Sequence, residues 1–206
     1  MSMLQRLLAH PLTRNLDLDD PRTTALRRSI IQSKPFLRQL YTEWYQEIRD
    51  ALPEGEAPVL ELGSGAGFLG EFLPGLISSD VFRIPGVSLV LDGRALPFRS
   101  ASLRGIAMTE VLHHIPDAGC FLAEAARCVQ PGGVVVMIEP WVTAWSRFVW
   151  GRLHHEPFIP NAADWTISPI GPLSGANGAL PWIVFERDRA IFHQRFPEWE
   201  IRSIAG

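Results

Sequence analysis

A doubly wound α/β domain built on a mostly parallel sheet is predicted by three observations. Short runs of Val, Ile and Leu recur between residues 58 and 139, separated by turns or helical patterns. Four glycines, Gly63, Gly65, Gly67 and Gly70, fall directly after the first of these runs. The runs are aliphatic throughout, as expected of strands covered on both faces. In order, the predicted strands are "PVLEL" (58 to 62), "LISSDV" (76 to 81), "VSLVL" (87 to 91), "LRGIAMT" (103 to 109) and "VVVMIE" (134 to 139). Ahead of them, Leu26, Ile30, Phe36 or Leu37, Leu40, Trp44 and Ile48 have helical spacing, and Pro35 divides that stretch into two helices. A further helix is predicted after the glycine loop. Another lies between the fourth and fifth strands, with Asp117 as its N-cap and a stop at Pro131, Gly132 and Gly133. Residues 141 to 181 hold four Trp and five Pro without a clear period and are read as a long functional loop. A helix from about 181 to 195 and a short strand, "WEIRSI", follow.

With 206 residues the chain is long enough for one sizeable core and short for two, so one domain over 1–206 is expected. Its parts are N-terminal helices (1–52), a core (58–140), the long loop (141–181) and a terminal helix and strand (182–206). Apolar residues make up 47% and charged residues 20%, which excludes a disordered chain. The net charge of −3 has no basic block, which argues against a nucleic-acid partner. No stretch reaches the roughly 18 apolar residues of a membrane span, and a cytoplasmic location is expected. Cys120 and Cys128 fall on one predicted helix, roughly 12 Å apart and beyond disulfide reach, and are read as small core residues.

Two cofactor signatures overlie "ELGSGAGFLG". Gly65, Gly67 and Gly70 fit G-x-G-x-x-G, whereas Glu61, Gly63, Gly65 and Gly67 fit E-x-G-x-G-x-G. In both, glycines let the backbone turn tightly and approach a ligand. The second register explains more residues, because Gly63 then follows the strand at once and Glu61 sits near its carboxyl end.

From residue 58 to 140 the chain resembles the class I S-adenosylmethionine-dependent methyltransferases, in particular the small-molecule branch with "LPF" and "LHH" motifs. "ELGSGAG", "SSD", "LDGRALPF", "MTEVLHHI" and "VQPGGVVVMIEP" occur in the family's order. The resemblance implies a Rossmann-like fold and S-adenosyl-L-methionine as cofactor. It implies that Glu61, Gly63, Ser64, Gly65 and Gly67 hold the methionine part, and that Asp80 accepts from the ribose hydroxyls. Asp92 would accept from the adenine amino group, with Gly93 beside it, Leu96 packing near the ring and Thr109 lining the site. The chain departs from the family in having Asp80-Val81-Phe82 where an acid-x-Ser is usual, and almost no helix between strands two and three. A final antiparallel strand, usual in the family, is not accounted for, so the sheet is expected to be shortened or the sequence to be part of a longer one. A sheet edge left open in that way would suit a homodimer.

Methyl transfer needs positioning, and a hydroxyl acceptor also needs a base. His113, His114 and Glu139 are the catalytic candidates, with His154 and His155 from the long loop behind them. Six tryptophans at or after position 141 are read as a lid over a small-molecule acceptor. No metal site is expected, because adjacent histidines usually point apart. The expected activity is methylation of a small molecule, oxygen slightly preferred. A cofactor-binding or regulatory protein without catalysis is the alternative.

Overall fold

The computed structural model describes residues 19–168, 171 and 173–205. Two helices open it, α1 (Pro21–Ser33) and α2 (Pro35–Ala51). Each begins with proline at its first position, where the missing N–H is no loss. Asp20 caps α1 by accepting from Arg22 N, and the extended Lys34 between the helices is the break that Pro35 predicts.

Five strands follow: β1 (Val59–Leu62), β2 (Ile77–Asp80), β3 (Leu89–Val90), β4 (Leu103–Thr109) and β5 (Val129–Ile138). All neighbouring pairs are parallel, in the order β3-β2-β1-β4-β5. The predicted doubly wound class is therefore observed. Two helices cannot cover both faces alone, so alternation along the strands sorts the core. Leu60, Leu62, Ile106 and Met108 face α3 (Ala118–Cys128) and the C-terminal helices, whereas Val59 and Ala107 face Tyr45, Ile48 and Leu52 of the N-terminal pair. Asp117 caps α3 by accepting from Cys120 N, as predicted.

Several expectations are corrected. After the glycine loop there is only a 3-10 turn, Leu69–Glu71, because Gly70 and the Pro74-Gly75 pair leave too few residues to propagate a helix. Strand β5 begins at Val129, before the glycines, and passes them in a register shift. The long loop contains a helix, α4 (Ala144–Arg152), closed by a reciprocal cap in which Thr143 and Ser146 bond each other's backbone. The terminal helix is broken into α5 (Leu180–Trp182), a π-helical stretch (Ile183–Arg187) and α6 (Arg189–Arg195). "WEIRSI" forms no strand. Cys128 is buried, but Cys120 is exposed and is no core residue. Among the described residues no helix is long and apolar enough to cross a membrane.

Candidate functional site

In a doubly wound sheet the order reverses between two strands that start in opposite directions from the centre, and the crevice beyond their carboxyl ends takes the ligand. Here that point lies between β1 and β4. A cavity of about 620 Å³ opens there, within the usual range for small-molecule sites of about 300–1,000 Å³. Its walls come from the glycine loop, the ends of β2 and β4, the turn after β3, the N-terminal helices and the segment around His154.

The glycine loop is held open by its backbone and its neighbours. Gly63 and Gly65 have φ of +69° and +36°, which side-chain-bearing residues rarely adopt. A Cβ on Gly63 would also sit 2.5 Å from Val111 Cγ2. Ser64 ties the loop to β2: its N–H donates to Ser79 O (2.7 Å) and its Oγ accepts from Ser79 N (3.1 Å). Ser64 is thus engaged within the protein while it also lines the cavity. Gly67 makes room for the Tyr45 hydroxyl, which accepts from Phe68 N (3.2 Å).

Asp80 stands at the end of β2 beside this loop. Its Oδ2 accepts from Gly65 N (3.0 Å) and its Oδ1 from Phe82 N (2.8 Å), leaving each oxygen a further lone pair. Asp92 is differently placed. Its carboxylate, 42% exposed, accepts from the Arg94 backbone N–H and both ends of the Arg94 guanidinium, down to 2.6 Å. Any further donor must compete with Arg94. Gly93 lines the cavity and Leu96 does not: Leu96 is buried in the core, and its N–H is held by Glu124 (2.8 Å). Leu62, Leu91 and Ile115 give the cavity wall apolar surface, Leu62 and Ile115 of them beside Gly93.

Glu61 is buried below the loop. Burial raises its carboxyl to about 7, against the pull of Ser64 and Arg28 and with help from Asp80. Its folded value exceeds the ordinary 4.5, so its stabilising effect is complete below pH 4.5 and is lost as pH rises through 7. The Glu61→Gln variant is expected to remove that falling limb, and above pH 7 to be the more stable protein by on the order of 3 kcal/mol. Urea midpoints at pH 5 and pH 8 check it; parallel curves for the two proteins would contradict it.

Beyond β4 the "TEVLHH" segment makes a 3-10 turn, Leu112–His114, with Val111 against Gly63. Glu139, just beyond β5, closes this turn. Its Oε1 accepts from Val111 N (2.8 Å) and Leu112 N (2.6 Å), and its Oε2 accepts from His113 Nδ1 (2.7 Å). Both side chains are nearly inaccessible, at 1% for His113 and 4% for Glu139. With its oxygens so committed, Glu139 holds His113 and the turn in place. Burial works against charge on His113, but Glu139, Glu156 and Glu110 outweigh it and hold the imidazolium well above the usual histidine range. His114 goes the other way. Burial, then the charge of His113, lowers it, so the ring is neutral at pH 7. Its Nδ1 donates to Gly175 O (3.1 Å), which leaves the lone pair on Nε2.

Some residues here are not picked out by the sequence reading. Glu110 has φ of +60°, a backbone state costly for a residue with a Cβ, and burial raises its carboxyl to about 7. Glu156 reaches into the same wall, its oxygens 3.6 Å from His113 Nε2 and 3.8 Å from His114 Nε2. The adjacent histidines do not point apart: their ring centroids are 4.2 Å from each other. The long loop does cover the cavity, but with His154, His155, Glu156, Gly171 and Leu173; no tryptophan is among the described lining residues. Trp165 is buried and donates to Asp188 (2.9 Å), Trp150 packs on the His154 ring, and Trp145 is 72% exposed.

Residues 74–137 match a family described as a methyltransferase domain. The chain is similar to a proposed methyltransferase of Haloferax volcanii, solved with the Trm112 methyltransferase activator, at 16% identity over 88% of this chain and 77% of that one (TM-score 0.54). A methyltransferase of Thermotoga maritima, a proposed histamine N-methyltransferase, is similar at 18% identity over 75% and 70% of the two chains (TM-score 0.50). The fold is the Rossmann-like one of these methyltransferases. Against a proposed methyltransferase of Bacillus halodurans (23% identity, TM-score 0.41), the matched region is 53% of this chain and about half, 51%, of that one.

The cavity's donor set fits that cofactor. Asp80 keeps acceptor capacity for a diol, Glu61 and Glu110 place carboxyl groups where a sulfonium or ammonium charge is welcome, and the buried Thr109 Oγ1 has no hydrogen-bond partner.

Proposed function

We propose that this protein transfers a methyl group from S-adenosylmethionine to a small-molecule acceptor, an oxygen nucleophile in preference. The observation that carries this reading is the pairing of the two walls. The glycine loop, with Glu61 below it and Asp80 beside it, and the His114 ring, whose pKa is lowered, line one cavity. When bound, the cofactor supplies an electrophilic methyl group. Gly63, Gly65 and Gly67 shape the loop against which its methionine part lies, Asp80 receives the ribose hydroxyls, and Asp92 offers an acceptor to the adenine in exchange with Arg94. His114 Nε2 takes the proton of a hydroxyl acceptor, and His113, clamped by Glu139, keeps that ring in place and neutral. The acceptor enters between His114, His154, His155 and the N-terminal helices, where Tyr41 and Ile30 supply apolar surface. Its size is limited by the same walls.

Calorimetric titration with S-adenosylhomocysteine tests the cofactor, and labelled methyl transfer to a panel of hydroxyl, amine and carboxylate acceptors tests the activity. Asp80→Ala removes the diol acceptor and unpairs Gly65 N–H and Phe82 N–H, so its Kd is expected to rise at least about thirtyfold. Binding of NAD in place of S-adenosylhomocysteine would sink the assignment. Tight cofactor binding with no turnover on any acceptor would leave a binding protein.

A further inference from the structure

We propose that His113, His114 and Glu156 form a binding site for one divalent transition-metal ion of the zinc type, on the inner wall of the cavity. Each offers one ligand atom, and these atoms all lie within 4.8 Å of one another. The separations bear on how the cluster is read. An N–H···O hydrogen bond spans about 2.7–3.2 Å. Glu156 is 3.6 Å from His113 Nε2 and 3.8 Å from His114 Nε2, too far for such bonds. Two ligands sharing a tetrahedral ion, each about 2.0–2.1 Å from it, are about 3.3–3.5 Å apart. These contacts lie in ion-pair range and are also near the spacing of a ligand shell, so the same three side chains can close on an ion with small shifts.

The far side of each imidazole is fixed independently. His113 Nδ1 donates to Glu139 (2.7 Å) and His114 Nδ1 donates to Gly175 O (3.1 Å). Such partners set the tautomer and turn the other nitrogen toward a metal, and binding of the ion would release the Nε2 proton of His113 to solvent, with Glu139 keeping the Nδ1 proton. Both Nε2 atoms therefore converge on the same carboxylate from adjacent positions in the sequence. The surroundings are negative, with Glu110, Glu139 and Glu156 all lining or bracing the pocket and no lysine or arginine paired with them by a salt bridge among the described residues. His155 Nε2 lies 3.6 Å from Glu156 on the solvent side. Imidazole nitrogens favour zinc and its neighbours over magnesium or calcium, which want oxygen shells. Two histidines and one carboxylate leave a fourth position, which faces the cavity.

An ion there would hold an acceptor oxygen and lower its pKa, a consequence that rests on the methyltransferase reading; binding of the ion itself does not. In the loaded protein His114 Nε2 is a ligand, and the ion replaces it as the group that promotes loss of the acceptor's proton.

The test is titration of the chelator-treated, dialysed protein with cobalt chloride, followed by visible absorption, alongside calorimetry with S-adenosylhomocysteine. One equivalent of cobalt with the bands of a tetrahedral site, displaced by zinc chloride, is expected. Glu156→Gln and His114→Gln should weaken cobalt binding at least tenfold, while His193→Ala, exposed on α6, should not change it. S-adenosylhomocysteine binding by Glu156→Gln shows that the variant is folded. No uptake by the wild type, or equal uptake by Glu156→Gln, overturns the metal site. Cobalt binding without S-adenosylhomocysteine binding by the wild type would keep the site and overturn the cofactor reading.

Discussion

Replacing His114 by alanine is expected to lower the rate constant for methyl transfer to a hydroxyl acceptor by about 10²–10⁴-fold, the usual contribution of a positioned base. The affinity for S-adenosylhomocysteine should barely move, since the proposed cofactor contacts are made by the glycine loop, Asp80 and Asp92 and not by this ring. That split separates a chemical role from a structural one. A variant that loses cofactor binding and rate together would show that the Gly175 contact matters for shape instead. The wild-type pH profile carries the same information. A base works unprotonated, so activity is retained as pH rises and falls once pH drops below the His114 pKa. Burial and the His113 charge place that value below the ordinary 6.5, so the acid limb should lie on the acid side of it. An acceptor that is already ionised should show neither the limb nor the full loss in the variant.

The parts of the fold that are legible in the sequence are those set by local chemistry. The five aliphatic runs become the five strands, Pro35 separates two helices, and Asp117 caps α3, because each outcome depends on a few neighbouring residues. Helix α4 shows the limit. None of its residues is buried, so no apolar stripe marks it, and only the Thr143 and Ser146 cap signals its start. "WEIRSI" has the composition of a strand but no neighbouring strand to bond with among the described residues. In the site, the glycine loop and the two histidines stand out by type and spacing. Their roles depend on partners far along the chain: Glu139 is 26 residues from His113, and Arg94 takes the carboxylate expected for adenine through a local turn. Glu156 follows two histidines of the long loop, and nothing near it in sequence shows that it folds back against His113 and His114.

Glu139→Ala should be the most destabilising single change in the site. It strips the acceptor from Val111 N–H and Leu112 N–H and leaves the buried His113 charge without its closest counter-charge. Breaking one partner of a buried pair costs about 3–5 kcal/mol, and in a chain of this size each kcal/mol moves the midpoint by about 2–4 °C. A fall in Tm of roughly 10 °C is expected. Glu139→Gln should behave differently. Its carbonyl oxygen still serves the two backbone donors, but its NH₂ now faces His113 Nδ1, which can accept only if that nitrogen gives up its proton. His113 then becomes neutral with its proton on Nε2. Most of the stability should return, while the positive charge that depresses His114 disappears. The acid limb of the pH profile should therefore move up toward the ordinary histidine value. A Gln variant with wild-type stability and an unmoved limb would show that His113 does not set the ionisation of His114.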